Sequence, residues 1–195
     1  MSPAEIDPES GCRVPLPRRE DLDADGRKAF DFYTSGTLRG LHGPAGLWLH
    51  SPKLAELYQP LGTYLRYGAG LDEPVREACV LAAAREFDNA FEWAAHEPEA
   101  LRVDVPPETI QAIKLREPCA EMQEPFGTVV ELIRGAFTAG SVSAEIYDAA
   151  VALLGVRLLI DLVSLAGMCA STAALLTVFD MQLDAGETHL LPKLR

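Results

Sequence analysis

Helical periodicity runs through nearly the whole chain. Nowhere does it give way to the two-residue alternation, rich in β-branched residues, that a half-buried strand needs. Apolar residues recur at three- and four-residue spacing in blocks separated by proline and glycine. Arg18 to Tyr33 carries Ala29, Phe30 and Tyr33 on one face. Pro52 stands at a favoured helix start, and Lys53 to Tyr67 follows with Leu54, Leu57, Tyr58, Leu61 and Leu65 until Gly68-Ala69-Gly70. Pro74 opens a central helix that breaks near Phe87-Asp88, where Asp88 is expected as the N-cap of a second helix running to about Glu99. Pro106-Pro107 starts another helix that stops before Pro118, and an amphipathic segment runs from about Glu121 to Ala139. Ser143 is expected to cap a last helical run to about Met181, broken near Gly155. About eight helices and no strand predict an all-α bundle. Its expected organisation is one domain over 18–182, an extended Pro- and acid-rich arm over 1–17 and a polar tail over 183–195.

The stretch from Thr34 to Ser51 interrupts this pattern. It is glycine-rich, hence a loop, yet it holds His42, Trp48 and His50, an unusual load for a connector. Leu47, Trp48 and Leu49 anchoring it to the core and the loop lining a site are both compatible with these residues.

Composition limits the partners. The chain of 195 residues carries a formal net charge of -12, with a sequence pI of about 4.7. A phosphate-binding face needs clustered Lys and Arg, so nucleic acid and an anionic membrane surface are disfavoured. The short Arg18-Arg19 cluster is followed at once by Glu20-Asp21. The N-terminal stretch is polar and acidic, so no signal peptide is expected from it. The apolar window Val151–Leu165 contains Arg157 and Asp161 and is read as falling short of a membrane span. Cys12, Cys79, Cys119 and Cys169 are scattered without a CxxC, which fits a reduced, cytoplasmic setting.

Chemistry concentrates between Glu73 and Leu101. Glu92 and His96 are four residues apart, so both project from one face of the second helix, and Glu77 lies on the first. A carboxylate beside an imidazole orients the ring and raises its basicity; a second carboxylate relays the proton. Partial burial among Phe87, Phe91 and Trp93 would shift these groups toward neutrality. A candidate internal repeat lies 71 residues on, where Tyr147-Asp148-Ala149 matches the placing of Arg76-Glu77-Ala78 while Val163 and Gly167 replace Glu92 and His96.

Arg76-Glu77, Phe91-Glu92-Trp93, His96 and Pro107-Glu108-Thr109-Ile110 resemble the pattern of the carboxymuconolactone decarboxylase family, related to alkylhydroperoxidase D. The flanks GPAGLWLHSPKLAE and VSAEIYDAAVALLG are similar to its longer members, so the likeness spans about residues 12–185. The resemblance implies an alkylhydroperoxidase D-like helical bundle, a homo-oligomer, and Glu77, Glu92 and His96 as active-site positions. The peroxidase branch carries a CxxC dithiol where Asn89 and Glu92 stand here, so a dithiol peroxidase is disfavoured. Two departures, Val103 or Asp104 in place of a glycine and Cys169 in place of a tyrosine, set the chain apart from the family's usual pattern.

The implied activity is that of a cofactor-free lyase of the decarboxylase type acting on a small organic acid or lactone. His96 would be the acid/base, Glu92 its orienting partner and Glu77 a relay. His42, Trp48, His50 and Trp93 are candidate substrate-binding residues. No metal or cofactor is required. The alternatives are a divalent metal held by Glu77, Glu92 and His96, or a non-catalytic oligomer that binds a small molecule.

Overall fold

The computed structural model describes residues 5–35, 40–183, 186 and 190–192. Residues 1–4 of the expected arm, 36–39 of the glycine-rich loop and most of the expected tail lie outside the described residues. The helices are α1 (Ala24–Thr34), α2 (Pro44–Trp48), α3 (Pro52–Thr63), α4 (Glu73–Glu86), α5 (Ala90–Arg102), α6 (Pro107–Lys114), α7 (Phe126–Arg134) and α8 (Ala144–Val178). No strand occurs among the described residues, so the protein is all-α.

α4 is the axis of the bundle. It packs against α5, α6, α7 and α8, and every residue from Val75 to Arg85 is buried. The small side chains Ala78, Ala82, Ala83 and Ala84 let neighbouring helices approach closely, and Leu162 and Leu165 of α8 and Val129 and Ile133 of α7 complete the core. Being enclosed on all sides, α4 has no polar face. Its charged residues therefore need partners within the protein.

The break between α4 and α5 falls one residue later than expected. Asp88 takes a left-handed conformation (φ 49°), and Asn89 is the cap, its Oδ1 accepting from the Glu92 N–H at 2.9 Å. The Asn89 Nδ2 donates to the Ala173 carbonyl of α8 at 3.3 Å, which ties the start of α5 to α8. Ser143 caps α8 as expected, accepting from the Ile146 N–H at 3.2 Å. Within α8, Gly155 has φ 70° and ψ 160°, a conformation essentially confined to glycine, and the helix is interrupted there.

α3 and α7 each run into a π-helical turn, Tyr64–Gly68 and Gly135–Ala139. The second turn begins 71 residues after the first, and α8 begins 71 residues after α4.

Described residues near both termini are docked. The Arg13 N–H donates to the Phe179 carbonyl at 2.9 Å, and Cys12 is buried with Leu47, Phe91 and Leu176. At the other end Leu191 is buried in the main core, and Arg85 Nη1 donates to the Pro192 carbonyl at 3.0 Å. The expectation of a polar tail thus missed an apolar anchor.

By length and composition α8 is apolar enough to cross a membrane, with an 18-residue window of mean hydropathy 2.1 of which 33% is buried. The shorter Val151–Leu165 window understated this because the apolar run continues beyond it. Arg157 and Asp161 interrupt the run and bond each other at 3.1 Å.

Candidate functional site

A cavity of about 700 Å³ lies between the α4–α5 pair and the α1–α3 layer, within the usual range for small-molecule sites. Tyr33, Trp48 and Tyr58 form an aromatic wall, with Trp48 and Tyr58 ring centroids 4.7 Å apart. Glu77, Glu92 and His96 line the opposite side. The glycine-rich stretch serves both purposes open to it: His42, Pro44 and Trp48 line the cavity, while Leu47 and Leu49 are buried anchors.

Glu77 and His96 meet directly. His96 Nδ1 lies 2.8 Å from Glu77 Oε2, and Arg76 Nε donates to Glu77 Oε1 at 3.0 Å. Arg76 also donates through Nη1 to the Arg66 carbonyl at 2.9 Å, so its guanidinium is held from two sides. Burial would raise the Glu77 carboxyl, but the hydrogen bond and charge of His96, then those of Arg76, outweigh it and hold the group below its ordinary range. Glu77 is therefore an acceptor-only carboxylate at neutral pH. It fixes the proton of the imidazole on Nδ1 and leaves Nε2 for other work.

Glu92 has a different place from the one its spacing suggests. It lies one turn before His96 on α5, yet the ring is bonded to Glu77 across the helix pair. Glu92 is buried, and its Oε2 has no hydrogen-bond partner among the described residues. The reason is angular: with both side chains on one helix face, Glu92 and His96 project side by side, while Glu77 on α4 faces the ring.

Two of the candidate binding residues lie elsewhere. Trp93 is one residue beyond Glu92, turned about 100° around the helix. It is fully buried away from the cavity, with Nε1 donating to Glu97 Oε2 at 3.0 Å and Lys114 Nζ 5.5 Å from the ring centroid. His50 follows α2 and donates through Nε2 to the Pro15 carbonyl at 2.9 Å, pinning the N-terminal arm. The crevice beside it is too small to hold a water. His42 does line the cavity, with its ring centroid 5.6 Å from that of Phe91.

Residues not singled out from sequence complete the cavity: Tyr33, Tyr58, Arg66 and Arg76. Arg76 had a signal, since it adjoins Glu77 in the chain; Arg66 and the tyrosines had none, because only packing brings α1 and α3 opposite α5. Among the described residues no three His, Cys, Asp or Glu side chains converge as a metal site. The oxygens of Glu77 are already engaged by Arg76 and His96, so the three-ligand set is not assembled. The Cys79 and Cys169 thiols are fully buried, and burial raises both, Cys169 to about 12, so neither supplies a thiolate.

Comparison of the chain with models of known families, with curated proteins and with solved structures finds no match.

Proposed function

We propose that the protein is a carboxymuconolactone decarboxylase-like lyase that works without a cofactor by acid–base proton transfer on a small organic acid or lactone. The observation that carries this reading is the 2.8 Å bond between His96 Nδ1 and the Glu77 carboxylate at the wall of a ligand-sized cavity. An imidazole oriented by a buried carboxylate, itself held by an arginine, is a competent general acid/base. In a decarboxylation the C–C bond to the substrate carboxylate breaks, CO₂ leaves, and the electron pair is delocalised into a conjugated carbonyl. The protonated His96 then delivers its Nε2 proton to that carbon, and Glu77 stabilises the imidazolium until the proton is given up. Glu77 takes the orienting role expected of Glu92, and Glu92 is left to face the ligand.

The reading is tested by screening cyclic β-keto acids and lactones with the wild type beside His96→Gln. The variant is expected to lose about 10²- to 10⁴-fold in turnover with an unchanged circular dichroism spectrum. Undiminished turnover would remove His96 from the mechanism.

The same reading includes an alkylhydroperoxidase D-like fold with a duplicated half. The 71-residue spacing shared by the π-helical turns and by the starts of α4 and α8 supports duplication. It also includes a homo-oligomer. Leu54, Leu57, Leu61 and Tyr64 on α3 and its π turn are exposed at alternating three- and four-residue spacing, and so are Val156, Ile160 and Val163 on α8. Tyr64 Oη donates to Asp161 at 3.2 Å, which sets the two stripes side by side. Two adjoining apolar seams of heptad spacing suit helix packing against a second copy.

A further inference from the structure

Besides His42, the cavity holds four acidic or basic groups whose partners are plain, and two without a partner among the described residues. Glu77 is satisfied by Arg76 and His96, which also accounts for those two. Glu99, at the rim, is bonded by Arg102 at 2.6 and 2.8 Å. Arg66 and Glu92 remain. The half-buried Arg66 guanidinium makes no hydrogen bond or ion pair with any described residue, and Glu92 is 4% exposed with Oε2 unpartnered. They do not pair with each other. A buried polar atom such as Glu92 Oε2 is costly to leave unpaired unless a bound molecule satisfies it, and the half-buried Arg66 guanidinium is open to an anionic group in the cavity. A third orphan, the Tyr33 hydroxyl, is buried in the same lining. Burial pushes it up to about 12 against a smaller opposing effect of Arg66, so it stays protonated and can donate. The space between these groups is walled by Trp48, Tyr58 and Phe91, flat surfaces suited to a ring.

We propose that the ligand of this cavity is a cyclic, planar acid bearing a carboxylate, held by Arg66 with the help of the Tyr33 hydroxyl, and a separate hydroxyl or enol group that donates to Glu92. The inference deepens the lyase reading and relies on it for the choice of cavity alone. It adds a requirement that an acid–base dyad does not impose: the ligand must bring its own hydrogen-bond donor, and Glu92 becomes a specificity-determining residue. A site built to accept a hydroxyl discriminates strongly against the analogue that lacks it, because the buried carboxyl is then left unpaired.

Titration calorimetry with inert probes separates this proposal from catalysis. The probes are the three positional isomers of hydroxybenzoate, their methyl ethers, benzoate and phenol. At least one hydroxybenzoate is expected to bind about tenfold or more tightly than benzoate and than its own methyl ether. In Arg66→Gln the acids weaken by about tenfold or more while phenol is unchanged, and in Glu92→Leu the best hydroxybenzoate falls to the benzoate level. Melting temperatures confirm that each variant is folded. Equal affinity for hydroxyl and ether forms, an Arg66→Gln effect as large on phenol as on the acids, or no binding of any isomer at millimolar concentration overturns the proposal. Selective binding in a protein that shows no lyase turnover would sink the lyase reading alone. Turnover of substrates that carry no hydroxyl, with no selectivity among the probes, would sink this one alone.

Discussion

α4 and the part of α8 that follows Gly155 depart from ordinary burial in opposite directions. α4 buries Arg76, Glu77 and Arg85 among alanines, whereas α8 leaves Val156, Ile160 and Val163 56%, 61% and 41% exposed. At the start of each helix the contrast repeats: Glu77 is enclosed and bonded, while Asp148, 71 residues on, lies in water. Burying ions costs desolvation that well-packed apolar side chains would avoid, so stability alone gives no reason to place this set in α4, although removing one partner of a buried pair is costly. On the proposed function, Arg76 and Glu77 are explained as the support of the His96 imidazole. Exposed aliphatics at heptad spacing equally leave free energy unrealised in a lone subunit, and they point to assembly. On the proposed function, one helix would hold the chemistry and the other would offer the surface.

The sharpest way to break this comparison is to remove the charge from each side of it. Glu77→Gln leaves the buried Arg76 guanidinium without its anion and is expected to lower stability by about 3–5 kcal/mol in denaturant titration. Turnover is expected to fall with it. An equal loss from Asp148→Asn would erase the distinction between the two helices.

The pH dependence follows from the same carboxylate. Glu77 titrates below its ordinary value of 4.5 in the folded chain, so between the two values the unfolded chain binds the extra proton. Its stabilisation is present above 4.5 and is lost as pH falls through the lower, folded value. Wild type and Glu77→Gln should therefore converge in stability as the solution is acidified, as unfolding curves at stepped pH would show. A constant gap down to pH about 2 would contradict the assignment.

For α8, a charge placed in the seam, as in Ile160→Glu, is expected to dissociate the assembly with the helical content retained; light scattering after size exclusion reads the mass. An unchanged mass would mean that the stripe is not an interface. Gly155→Ala forces a side chain into a conformation essentially confined to glycine and is expected to cost about 1–3 kcal/mol. The smallest effect is that of Asp148→Asn itself, within about 0.5 kcal/mol, as for an exposed residue without partners.

Much of the helical layout was legible in the chain, because periodicity, Pro52, Pro74, Pro107 and the Ser143 cap are local signals. The end of the α4–α5 break was misplaced by one residue, since Asp88 and Asn89 are both good caps and only the backbone decides between them. Glu77, Glu92, His96, His42 and Trp48 were all singled out, and all line one cavity. Trp93 and His50 were singled out on type and proximity in sequence, and they serve packing and the N-terminal arm instead. Nothing in the spacing revealed that Tyr33, Tyr58 and Arg66, drawn from the other side of the molecule, would face them.

By itself the sequence determined what is local: an all-α chain, the positions of most breaks, a net acidic charge, and three ionisable residues on one helix pair. Tertiary structure decided which of those residues touch. A four-residue spacing joined Glu92 to His96 on paper, but hydrogen bonding depends on where neighbouring helices lie, and α4 brings Glu77 to 2.8 Å of the ring. Packing alone left Glu92 and Arg66 without partners, because an orphaned group is defined by everything that fails to reach it.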